Sequence, residues 1–149
     1  MNKIKNHWIE GLVAGLASFL VIWIAMLTEI KLGLILIDMP FTEYLHASLF
    51  SALFMGTIVG LLFAYTQKFI LFENPAFRGI AFLGLFELLS IATLFLIPSS
   101  LARMMEIYAS IFAFVIDVSL TVIIGGGVIG ITYNYLVKKN VFTNKKKHS

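Results

Sequence analysis

The chain reads as an all-α integral membrane protein, a four-transmembrane-helix bundle with both termini on the cytoplasmic side. Three observations predict this class. Sixty per cent of its 149 residues are hydrophobic and only 13% are charged, against about 25% charged in a soluble domain. The charges cluster, leaving four long windows nearly free of them. Each window holds the roughly 20 apolar residues that a helix needs to cross about 30 Å of hydrocarbon. Finally, nine of the eleven Lys and Arg residues fall on one side of these windows.

The spans follow in order. Span 1 covers about residues 8–29, with Trp8 as an interface anchor. Lys3, Lys5 and an apolar run share the outline of a cleaved leader, but no small-x-small site lies near Thr28, so an uncleaved span is expected. The connector 31–41 is apolar, broken by Gly33, Asp38 and Pro40, and lies at the interface. Span 2 covers about 42–67, with Thr42 as a suitable N-cap. Asn74-Pro75 is a start signal for span 3, an N-cap followed by a proline at the first helical position. Span 3 covers about 75–97 and stops at Pro98. From Leu101 onward no strong breaker appears, so either 101–110 lies along the interface or one long helix projects. Span 4 covers about 112–137, followed by a basic tail at 138–149.

The positive-inside rule orients these spans. Lys3, Lys5, Lys68, Arg78, Lys138, Lys139, Lys145, Lys146 and Lys147 share one side, leaving Lys31 and Arg103 on the other with Glu29, Asp38, Glu43 and Glu106. The net charge of +3 therefore reflects membrane flanks. It points to an anionic lipid surface at the basic tail, not to nucleic acid.

Two stretches share a Gly-x3-Gly-x4-Tyr spacing about 70 residues apart: Gly56 to Tyr65 and Gly126 to Tyr135. Small residues spaced by four let helix backbones approach closely in lipid. The offset pairs span 2 with span 4, and EGLVAGL with RGIAFLG pairs span 1 with span 3 more loosely. A parallel repeat of two hairpins is one reading; chance similarity of glycine-rich apolar segments is the other.

Helical phase assigns faces at about 100° per residue. Span 1 carries a stripe of Gly11, Gly15, Ser18, Ile22, Ala25 and Glu29. Glu29 therefore points into the bundle, or else snorkels to the outer interface. In span 2, His46 shares a face with Thr57, Gly60 and Ala64. Span 3 carries Glu87 near mid-membrane, where an ionisable group is a functional candidate, with a hydrogen-bonded structural acid as the plainer reading. Span 4 shows two opposed seams: Asp117, Thr121, Val128, Thr132 and Tyr135 on one, and Ser119, Ile123, Gly126, Gly130 and Tyr133 on the other. A simple bundle needs only one inward face, so span 4 is expected to be central or to touch another subunit.

The chemistry is restricted. Without cysteine there is no disulfide, thiolate nucleophile or cysteine metal site. Nothing resembles a nucleophile with its base, which points away from an enzyme, and no cofactor is called for. Glu29, His46 and Asp117 come from three spans at similar outer depth and form a candidate polar cluster for a proton or divalent metal, though no metal motif supports it. Three functions are expected in descending order: an accessory subunit or homo-oligomer acting through its glycine seams; a small proton-coupled transporter or channel using Glu87; and a membrane enzyme using the outer cluster.

Overall fold

The computed structural model describes residues 7–97, 99, 102 and 106–146. Lys3, Lys5, Arg103 and Lys147 lie outside the described residues. The fold is helical: α1 (Trp8–Lys31), α2 (Phe41–Thr66), a short 3-10 turn (Gln67–Phe69), α3 (Pro75–Leu96), α4 (Ile111–Leu120), a π turn (Thr121–Gly125) and α5 (Gly126–Lys146). The segment α4–π turn–α5 is one continuous rod. Four helices are thus long and apolar enough to cross a membrane. The start of α1, the end of α5 and the 67–74 turn lie at one end of the bundle, here the terminus-bearing end. The connector 32–40 and residues 106–110 lie at the far end.

Local sequence sets the boundaries. The Asn74 side chain accepts the Ala76 amide at 2.9 Å, with Pro75 opening α3. Pro40, rather than Thr42, is the cap residue of α2, and Thr42 falls in its first turn. The Ser110 hydroxyl accepts the Ala113 amide at 3.1 Å and starts α4. The backbone leaves helical geometry over 108–110, so a single helix running on from Leu101 is excluded. At the other end, the helix continues to Lys146 instead of stopping at Val137.

Two glycine seams hold the hairpins. In the first, a Cβ on Gly11 would lie 2.7 Å from the Gly60 carbonyl oxygen, and one on Gly56 would lie 3.0 Å from that of Gly15. In the second, a Cβ on Gly126 would lie 2.6 Å from Ile80 Cα, and one on Gly130 would run into the Pro75 carbonyl. Gly79 meets the Gly126 backbone in the same seam. Thus α2 packs on α1, and α3 packs on α5. The two pairs join through α1 against the final rod.

The core is Ala14, Val59, Phe63, Phe82, Leu83, Ile129 and Tyr133. Phe63 packs edge-on against Phe82 at 5.2 Å and Tyr133 at 5.4 Å between ring centres. It thereby ties α2 to α3 and α5 toward the terminus-bearing end. Arg78 reinforces this by donating to Gln67 Oε1 at 3.0 Å.

The π turn changes the reading of span 4. Asp117 and Gly126 are nine residues apart, which sets them on opposite sides of a continuous α-helix. A turn closed by i→i+5 bonds absorbs one residue, so the angle between them falls to about 80°. The Asp117 end of one seam is thereby brought toward the side of Gly126, Gly130 and Tyr133, while Ser119, Ile123 and Tyr135 stay exposed. Ser18 marks the join, donating to the Gly125 carbonyl at 2.8 Å.

Candidate functional site

The far end gathers carboxyls from three helices. Glu29, near the end of α1, is 3% exposed, and its stripe-mates Gly11, Gly15 and Ser18 are buried with it. Of the two orientations open to Glu29, the structure takes the inward one. Its chain leaves the helix through Gly33, whose φ of +72° is readily accessible only to glycine. Residues 34–36 then run antiparallel to 107–109. Leu36 N–H donates to Ile107 O at 2.7 Å, and Ala109 N–H donates to Leu34 O at 3.0 Å. This bridge closes the far end, with Ile35 buried beneath it.

Tyr108, carried by the bridge, donates its hydroxyl to Asp117 Oδ2 at 2.5 Å. Burial, first, and then the Asp117 carboxyl push the Tyr108 phenol above its ordinary value of 10.0, with smaller contributions from Glu29 and Glu87. Asp117 is in turn the close electrostatic neighbour of Glu29, Glu87 and Tyr44. Tyr44 itself donates to Met26 Sδ at 3.3 Å.

Neither carboxyl oxygen of Glu29 has a hydrogen-bond partner among the described residues, although both are buried. Asp117 adjoins it, close enough for the two carboxyls to share a hydrogen bond once one of them carries a proton. A buried charge without partners is costly, and two adjacent carboxylates repel. The arrangement is favourable when a proton or cation neutralises the pair. Among the described residues no three His, Cys, Asp or Glu side chains are placed to hold a metal ion.

His46 does not join this cluster. It is exposed, and its Nδ1–H donates to the Thr42 carbonyl of its own helix at 2.8 Å. It keeps the helical phase of Gly60 and Ala64, which pack on α1, but at its own level of α2 it is left exposed. Glu87, expected alone at mid-membrane, is half-buried and faces the Asp117 side of the bundle. Measured from the far end of its own helix, Glu29 is about 3 Å down, Asp117 about 9 Å and Glu87 about 13 Å.

Sequence reasoning missed Tyr108, Tyr44 and Ser18's link to Gly125. Tyr108 sits outside any helix, so periodicity assigns it no face. A polar-tipped aromatic shortly before the Ser110 cap was its only signal. Also missed was Glu10, 8% exposed at the terminus-bearing end, with His7 Nδ1 3.2 Å from its Oε1.

The fold and site define a multi-pass helical membrane protein with a buried acid pair. Comparison of the chain with protein-family models, curated proteins and solved structures gave no match.

Proposed function

We propose that this protein binds and releases a proton at the Glu29–Asp117 pair, as the coupling site of a small proton-linked transporter or channel. The observation that carries this reading is Glu29: a buried carboxyl with no hydrogen-bond partner among the described residues, set beside a second acid. Ionisable groups inside membrane bundles are rare and costly, and proton relays are among the functional sites they mark. In this reading Tyr108 orients Asp117, and Glu87 is the next acid toward the middle of the bundle. Charge bias places both termini in the cytoplasm and the acid pair on the outer side. The two glycine-seamed hairpins act as the halves of a parallel repeat, with the acid pair at their boundary.

The alternative of an accessory subunit or homo-oligomer rests on the glycine seams and on the two faces of span 4; one of those faces, Gly126–Gly130, is met within the chain by Gly79, Ile80 and Pro75.

Infrared difference spectroscopy of the purified protein across pH tests the proposal. A carbonyl band from a protonated carboxyl should titrate in the wild type and disappear in Glu29→Gln. It should survive Glu43→Gln, which alters an exposed acid. A wild-type spectrum without a titrating carboxyl, or one that Glu29→Gln leaves unchanged, refutes the reading.

A further inference from the structure

At the terminus-bearing end, well away from the acid pair, a groove of about 610 Å³ opens between the start of α1 and the outer side of α2. Its floor is apolar, made by Ile58, Leu61 and Leu62. Its mouth carries Trp8 and Tyr65, 59% and 67% exposed, and Lys68. Trp and Tyr with apolar bodies and polar tips favour the headgroup level of a bilayer. The Lys68 ammonium lies 4.9 Å from the Tyr65 ring centre and 4.8 Å from that of Phe69. Those rings hold the cation at the mouth without neutralising it, since no carboxylate forms an ion pair with it among the described residues. The nearby acid, Glu10, is buried on the inner side and contacts His7.

We infer that this groove is a binding site for one anionic membrane phospholipid, its acyl chain along Ile58, Leu61 and Leu62 and its phosphate on Lys68. The apolar floor matches an acyl chain in chemical character, and the Lys68 ammonium at its mouth complements a phosphate. A zwitterionic headgroup gains less, because its own ammonium repels Lys68. One lysine near an anionic surface contributes about 1 kcal/mol, which corresponds to about a fivefold preference.

Trp8 offers a local probe. The chain has two tryptophans, and Trp23 sits on the far half of α1, donating to Ser48 Oγ at 3.0 Å. In a Trp23→Phe background, Trp8 fluorescence reports the groove alone. The protein is reconstituted into phosphatidylcholine vesicles containing graded fractions of acyl-brominated phosphatidylglycerol or acyl-brominated phosphatidylcholine. Brominated phosphatidylglycerol should quench at about fivefold lower mole fraction. Lys68→Gln should abolish that preference. Lys138→Gln, at the start of the basic tail, should retain it, which separates the groove from general surface attraction. Equal quenching by the two lipids, a preference that survives Lys68→Gln, or no quenching by either lipid because the chain or another protein fills the groove, overturns the inference.

Discussion

At the residue scale, Tyr108 and Glu29 make opposite demands on their surroundings. Tyr108 supplies a hydrogen bond to a carboxyl, so Tyr108→Phe removes the donor and leaves Asp117 desolvated. A loss of about 1–3 kcal/mol is expected, read as lowered thermal stability in detergent. The sign of its pH dependence follows from the raised phenol. The proton is held more tightly in the folded state than in the unfolded chain, whose phenol titrates near 10.0. The stabilisation is therefore complete below about pH 10 and is lost as pH rises beyond that, through the folded value. Tyr108→Phe should flatten that alkaline decline. Glu29→Gln does the reverse of Tyr108→Phe: it keeps the volume and removes a buried acid that has no described partner. The variant should be at least as stable as wild type near neutral pH while losing proton binding, and a destabilised variant would show that Glu29 serves the fold. The inward face of Glu29 was legible in the sequence, because its stripe obeys helical spacing. Its neighbours were not, because Tyr108 lies on a non-helical bridge and no local pattern reports which helices meet.

At the element scale, the glycines divide by what a methyl group would meet. Gly126 faces the backbone of Ile80, whereas Gly127 has open space within 4 Å. Backbone cannot rotate away as a side chain can. Gly126→Ala should therefore destabilise by about 1–3 kcal/mol through forced separation of α3 and α5. Gly127→Ala should be neutral, or stabilising by at most about 1 kcal/mol from helix propensity. Thermal unfolding of the two variants side by side checks the contrast. Because the Gly126 seam lies within the chain, the oligomeric state on native gels should be the same in both. The π turn makes a sharper prediction. Deleting the exposed Ile123 converts it to an ordinary α turn and leaves Asp117 still about 80° from Gly126, so α4 keeps its orientation relative to α5. Helix content by circular dichroism, the Tyr108–Asp117 bond and the titrating carboxyl should all persist, and their loss on deletion would show that the turn itself, not the facing it sets, holds the site. This turn also explains why the two seams of span 4 looked opposed. Phase counting assumes an unbroken 3.6-residue period, and no proline or charge announces the extra residue. The four spans were legible because apolar length is a composition property that one inserted residue does not disturb.

At the scale of the whole molecule, the two hairpins share the acid site between them. Glu29 belongs to the first, and Asp117, Tyr108 and Glu87 belong to the second. A carboxyl that is 3% exposed exchanges its proton with water only if something opens. Local opening falls where few backbone bonds hold, and the bridge over Glu29 is held by two, Leu36 to Ile107 and Ala109 to Leu34. The seams below, by contrast, are backbone against backbone along the helices. Opening should therefore occur at the bridge, as a parting of 34–36 from 107–109. The absence of native cysteine allows a direct check with the double substitution Leu34→Cys and Ala109→Cys. These residues are opposed across the bridge and share one backbone bond, Ala109 N–H to Leu34 O, while the Leu34 N–H donates to Glu29 O; Cα atoms at such a position lie about 5.5 Å apart, within disulfide range. Oxidation should lock the bridge without disturbing the helices. The Glu29 carboxyl should then lose its response to a pH jump, or respond more slowly by an order of magnitude or more, and recover on reduction. If the oxidised protein responds as fast as the reduced one, the proton reaches Glu29 from the Glu87 side, through the bundle interior, and the far-end bridge is a fixed cap instead of a gate.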